Sequence, residues 1–188
     1  MDSAKQSRIA AHIEFILNEL GLTPKRDIHL AETPARIARF LDLFLSPGLE
    51  VAPPIISAMD NEDGLREMIV LRSIHFYSLC AHHFLPFFGH IDIGYLPGRK
   101  LIGIGSLNRI VEYFARRPQI QERFSEQIAS YLDEVLRPRG TIVRCQARHL
   151  CLELPIYSGQ ETRLETIAAR GALQAGAERA QFLGHPGR

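Results

Sequence analysis

Residues 68–96 read MIVLRSIHFYSLCAHHFLPFFGHIDIGYL. Two runs rich in β-branched and aromatic residues, 68–77 and 87–96, flank a short interruption. That texture predicts two strands joined by a loop. The loop holds Cys80, His82 and His83. One turn of helix puts positions i and i+3 on one side, so Cys80 and His83 can grip one ion, and His82 cannot share that side with His83.

His149-Leu-Cys151 lies about seventy residues further on. In a strand, residues two apart point the same way, which would set His149 beside Cys151. Cys80, His83 and Cys151 plus water would form the open arrangement of a catalytic zinc site, leaving His82 and His149 as acid–base groups. A closed structural site would instead take Cys80, one of His82 and His83, His149 and Cys151. A Cys80–Cys151 disulfide is the other alternative. Three cysteines and no apolar signal core at Met1-Asp-Ser-Ala-Lys5 speak against a disulfide framework.

Outward from this stretch, Ile9, Ile13, Ile16, Leu17 and Leu20 recur at helical spacing over 5–20, and Gly21 suits the stop. Thr33-Pro34 opens a second helix, whose stripe Ile37, Phe40, Leu41, Phe44 should end at Ser46-Pro47-Gly48. Residues 46–66 read as a loop, so 1–66 form an N-terminal helical region and 67–188 the main body. Tyr95-Leu-Pro97-Gly98-Arg-Lys100 predicts a type II turn returning along 101–104. Two helices follow, with Ser106 as N-cap of the first and Pro118 dividing them. Residues 141–154 read as a strand with Val143, Cys145, Ala147, His149 and Cys151 on one face. Residues 161–173 read equally as strand or helix, with glycines at 171, 176 and 184 weakening helix.

Composition narrows the function. A chain of 188 residues, 46% hydrophobic and 23% charged, is one globular domain or one with an appendage. A net charge of +1 gives no basic field for nucleic acid. No apolar run approaches the roughly 20 residues that cross a bilayer. Free thiols at a metal site fit a reducing cytoplasm. A small-molecule substrate is the expected partner.

Ser78-Leu-Cys80-Ala-His82-His83-Phe84, Ile91-Asp-Ile-Gly-Tyr95-Leu-Pro97, Asn108-Arg109-Ile-Val111, Arg117-Pro-Gln-Ile120-Gln121-Glu122-Arg123 and His149-Leu-Cys151 resemble motifs of the GTP cyclohydrolase I family, in order. Glu32-Thr33-Pro34-Ala-Arg36 looks like its N-terminal counterpart. The likeness runs from about residue 8 to about 152. It implies the α+β tunnelling fold, an antiparallel sheet plus two helices per subunit, assembled as a homo-oligomeric barrel. In the family this is a decamer with active sites between subunits. By the same likeness Cys80, His83 and Cys151 hold Zn2+, and His82 and His149 are catalytic. Ile120, Gln121 and Glu122 line the guanine edge, and Arg36 and Arg109 are associated with phosphates. A carboxylate accepts two hydrogen bonds side by side, as the N1–H and 2-amino donors of guanine require. The implied chemistry is hydrolytic opening of the purine imidazole ring at C8, release of formate, and closure to dihydroneopterin triphosphate.

Departures gather at the phosphates. Gly105 and Ser106 replace a serine and a lysine of the family, and Pro155-Ile156 replace an arginine–glycine pair. Ala81 replaces a glutamate, and Gln160-Glu161-Thr-Arg163 replaces a Thr/Ser-rich strand. A charged hydrogen bond contributes roughly 1.5–3 kcal/mol, so losing two cations would weaken a triphosphate grip, with Glu153 repelling phosphate further. The sequence therefore favours a purine substrate lacking the triphosphate. The alternatives are GTP itself, with Arg144, Arg148, Arg163 or Arg170 as substitute cations, and a non-catalytic purine- or pterin-binding protein.

Overall fold

The computed structural model describes residues 3–49, 52–154 and 162–184. The chain divides into two compact units, Met1–Val51 and Ala52–Arg188.

The first unit is a pair of helices, α1 (Ser3–Glu19) and α2 (Thr33–Leu49). Ile9, Ile13 and Leu17 are half-buried along α1, while Ile16 and Leu20 of the expected stripe are exposed. Gln6 Nε2 donates to Asp42 Oδ2 at 2.7 Å and ties the two helices. Gly21, at φ +78°, supplies the left-handed residue after α1. The α2 helix does not stop at Ser46 but runs to Leu49. Pro47 in the final turn removes a single N–H donor, which a helix end tolerates better than its middle.

The second unit is built on a five-stranded sheet in the order β5-β2-β3-β6-β7. Its strands are β2 (Ile69–Cys80), β3 (Pro86–Leu96), β5 (Pro118–Gln119), β6 (Gly140–His149) and β7 (Arg163–Gly171). All neighbours are antiparallel except β2 and β5. Helices α3 (Ile104–Ala115) and α4 (Gln121–Leu136) cover one face. Phe76, Phe87, Ile91, Phe124, Ile128 and Val143 fill the space between.

Three expectations change here. The segment after Tyr95-Leu96 does not fold back on β3. As β4 (Lys100–Ile102) it pairs with β1 (Ala58–Asp60), a strand inside the stretch read as loop. Asn61 captures it, its N–H donating to Arg99 O and its Nδ2 to Gly98 O. Gly98 has no positive φ, so the turn is not type II. A Cβ there would lie 2.7 Å from Arg137 O, so this glycine is required for close approach. The N-cap of α3 is Gly103, and Ser106 sits buried within its first turn.

The tail, ambiguous in sequence, gives β7, a 3-10 turn Ala172–Gln174 and α6 (Ala177–Leu183), after the single-turn helix α5 (Leu150–Glu153). Phe182 packs with Leu96, Ile142 and Leu173 on the sheet face opposite α3 and α4. Gly94 makes room for its ring, since a Cβ would stand 2.8 Å from Phe182 Cδ2. No described helix is long and apolar enough to cross a membrane.

Candidate metal centre and active site

The β2–β3 connection is a single helical turn. Phe84 N–H donates to Cys80 O at 2.8 Å, and Cys80 N–H donates to Leu85 O at 2.8 Å. Phe84 then leaves in the left-handed region at φ 55°. This turn delivers the expected i, i+3 geometry. Cys80 Sγ lies 3.8 Å from His83 Nδ1. It also lies 3.9 Å from His82 Nδ1, closer than the separation of helix faces implied.

Cys151 arrives by a route the sequence did not suggest. The expected strand 141–154 stops at His149, because Phe87↔His149 is its last pair with β3. Without a partner the backbone coils into α5, which carries Cys151. Cys151 Sγ comes within 3.8 Å of Cys80 Sγ. The ligand atoms of Cys80, His83 and Cys151 all lie within 4.8 Å of one another, so these three could hold a metal ion. Two thiols and an imidazole suit zinc. Neither His82 nor His149 belongs to this mutually close set.

Burial and the neighbouring Cys80 push the Cys151 thiol up to about 11. Cys145 is a core thiol, its pKa raised by burial.

The short parallel strand β5 brings the start of α4 to this turn. Leu79 and Cys80 pair with Pro118 and Gln119, and Ala81 N–H donates to Gln119 O at 2.8 Å. Proline at 118 lacks a donor and fits an edge position. Ile120 is the half-buried N-cap of α4, followed by buried Gln121 and exposed Glu122. Gln121 Oε1 stands 2.8 Å from His149 Nε2. The His149 ring stacks on Phe87 with centroids 4.6 Å apart and planes 8° apart. Burial lowers the His149 pKa, with Glu122 and Glu153 acting in the opposite direction, so the ring is neutral near pH 7. Phe87 is a site residue the sequence did not disclose. Only the β3–β6 register reveals it.

The remaining expected residues lie as follows. Arg36 is exposed on α2, in the first unit. Arg109 is exposed on α3, its Nη2 donating to Ser106 Oγ at 3.0 Å. Arg144 pairs with Glu165, and Arg170 with Glu126. Arg148 grips Glu153 with two hydrogen bonds of 2.9 and 2.7 Å. That pair holds the Glu153 carboxyl below the usual range and offsets its charge, against the expectation that Glu153 repels phosphate unopposed. Pro155-Ile156 and Gln160-Glu161 lie outside the described residues.

A mainly antiparallel sheet backed by two helices, with two thiols and an imidazole converging at one end, defines an α+β protein with a candidate metal centre. The chain belongs to the GTP cyclohydrolase I family, whose sequence model matches residues 9–185, and its fold is that family's tunnelling fold. The match carries the likeness past residue 152 through the tail. The chain is 44% identical over 184 residues to GTP cyclohydrolase 1 of Helicobacter hepaticus, covering 97% of this chain and 88% of that one. It is 41% identical over 157 residues to the protein of that name from Wolinella succinogenes, covering 83% and 84%. With that of Porphyromonas gingivalis it shares 38% over 184 residues, covering 97% and 94%. These names place the chain among cyclohydrolases, enzymes of hydrolysis.

Proposed function

We propose that the chain is a zinc-dependent GTP cyclohydrolase that opens the guanine imidazole ring of GTP at C8. The convergence of Cys80, His83 and Cys151, with the buried His149 two residues before Cys151, carries the reading. The relatives' shared name supports GTP over a substrate without the triphosphate, which the sequence alone favoured. The phosphate side supports it too. Ser106, standing where the family has lysine, accepts from Arg109 Nη2 and orients that exposed guanidinium.

Cys80, His83 and Cys151 would hold zinc, which when bound supplies Lewis acidity. Glu122, exposed on the first turn of α4, accepts from the N1–H and 2-amino donors of the guanine. His149, neutral near pH 7, accepts a proton, and the exposed His82 exchanges protons with solvent. Arg109 neutralises phosphate oxygens. The chain works as a homo-oligomer, as the family likeness implies. Free thiols at residues 80, 145 and 151 suit a reducing compartment such as the cytoplasm.

A panel of GTP, GMP, guanosine and guanine tests the reading, with loss of the purine absorbance and formate release followed together. GTP should be the preferred substrate and dihydroneopterin triphosphate the product. Preference for guanosine or guanine would return the reading to a substrate without phosphates. Zinc content without turnover of any of the four would mark a binding protein.

A further inference from the structure

The family likeness puts Gln121 at the guanine edge, but its side chain is 1% exposed. Both of its N–H donors and one side of its oxygen are taken. Nε2 donates to Cys145 O and to Leu164 O, each at 3.0 Å, with Thr166 Oγ1 at 3.3 Å. Oε1 faces His149 Nε2 at 2.8 Å. The two carbonyls decide which way the amide is turned. They only accept, so the atom facing them must be the NH2 group. The flipped amide would set oxygen against two oxygens and leave two acceptors unmet.

With the amide so fixed, the atom facing His149 is a carbonyl oxygen, which cannot donate. His149 Nε2 must therefore carry a proton. In a neutral imidazole one nitrogen donates and the other accepts, which leaves the lone pair on Nδ1. Nδ1 has no hydrogen-bond partner among the described residues. Phe87, stacked at 4.6 Å, holds the ring plane.

We infer that Gln121 is a positioning residue that binds no substrate: anchored on β6 and β7, it holds His149 in the Nε2–H tautomer and presents Nδ1 as the working nitrogen. This rests on the reading of His149 as a proton-transfer group. The structural cause is the register of three elements. Gln121 opens α4, Cys145 and His149 lie four residues apart on β6, and Leu164 pairs across from Ala147.

The tautomer is read directly by 15N NMR of the full-length, zinc-loaded protein labelled at histidine, with His149 assigned by difference against His149→Gln. A protonated Nε2 and an unprotonated Nδ1 at neutral pH are expected. A protonated Nδ1 would overturn the inference, and this measurement needs no change at Gln121. In Gln121→Met, which keeps length but loses both hydrogen-bonding functions, kcat should fall about 10–100-fold, the usual cost of losing a group that orients a functional histidine. The dissociation constant for GTP and the zinc content should stay within about twofold of wild type, since no contact to either is lost. Weakened GTP binding at unchanged kcat would instead make Gln121 a substrate ligand. Full turnover in His149→Gln would overturn the role of His149 itself, and the NMR result would still stand on its own, which separates the two failures.

Discussion

The Sγ atoms of Cys80 and Cys151 stand 3.8 Å apart although the two residues are 71 positions apart in the chain. A disulfide would need about 2.0 Å. Two thiolates on one tetrahedral zinc, each about 2.3 Å from the ion, stand about 3.8 Å apart. The spacing therefore matches a shared ion and not a bond. Protein purified without added metal should contain about one zinc per chain by elemental analysis. Cys151→Ser should lose it, whereas Cys145→Ser should keep it, because Cys145 is enclosed in the core. Full zinc in Cys151→Ser would end the assignment.

Zinc uptake should depend on pH with a definite sign. The Cys151 thiol, pushed up to about 11, keeps its proton at neutral pH in the metal-free protein. Binding a metal as thiolate expels that proton, so protons compete with zinc. Affinity should rise about tenfold per pH unit between about pH 6 and 8 for each proton released. Zinc titration of the stripped protein in weak buffer with a pH indicator counts those protons. An affinity flat across this range would show that Cys151 does not bind as thiolate.

His82 and His149 lie next to the candidate ligands without joining the mutually close set. Replacing either with Gln should leave zinc in place and lower turnover by about 10²–10⁴-fold, the usual worth of positioned acid–base groups. Parallel loss of metal from both variants would instead indicate a closed structural site.

Stability offers a test that does not pass through the reaction. Asp92, 1% exposed, accepts from Ser73 N–H at 2.8 Å and from Arg72 Nη1 at 3.0 Å. It thereby secures the irregularity in β2 between Leu71 and Ile74, where Ser73 adopts φ 58°. Removing one member of a buried pair costs about 3–5 kcal/mol, and the partial exposure of Arg72 puts Asp92→Ala near the lower end, about 3 kcal/mol. Denaturant unfolding at fixed protein concentration measures it. A loss under about 1 kcal/mol would show that the bulge holds without this anchor.

What the sequence disclosed follows the range of the interactions involved. Cys80 and His83 were legible because one backbone turn sets their geometry. The strands 68–77 and 87–96 and the two core helices were legible from periodicity. Cys151 does come together with Cys80 and His83, but strand alternation was expected where a helical turn does the work. The end of β6 depends on where β3 begins, and a one-strand pattern does not contain that. The same limit hid Phe87 beneath His149 and the pairing of β4 with β1. It also hid the burial of Gln121, because each depends on the register of a distant segment. Asn61, whose side chain draws Gly98 and Leu65 together, reads in sequence only as a loop residue.

The phosphate side separates the two substrate readings. Ser106 is 2% exposed, and its hydroxyl oxygen accepts from Ser57 N–H at 3.1 Å and from Arg109 Nη2 at 3.0 Å. A residue this enclosed does not touch a phosphate itself, but it aims the exposed guanidinium that can. Arg109→Ala should therefore raise KM for GTP about tenfold or more, the worth of one charged hydrogen bond. KM for guanosine, if it is turned over at all, should not move. Ser106→Ala should give a smaller rise in the same direction, because Arg109 keeps its charge and loses only its orientation. In Arg109→Ala the salt dependence of kcat/KM for GTP should flatten, since screening acts on exposed charges. Equal effects of Arg109→Ala on GTP and guanosine would remove this arginine from the phosphates and reopen the case for an unphosphorylated substrate.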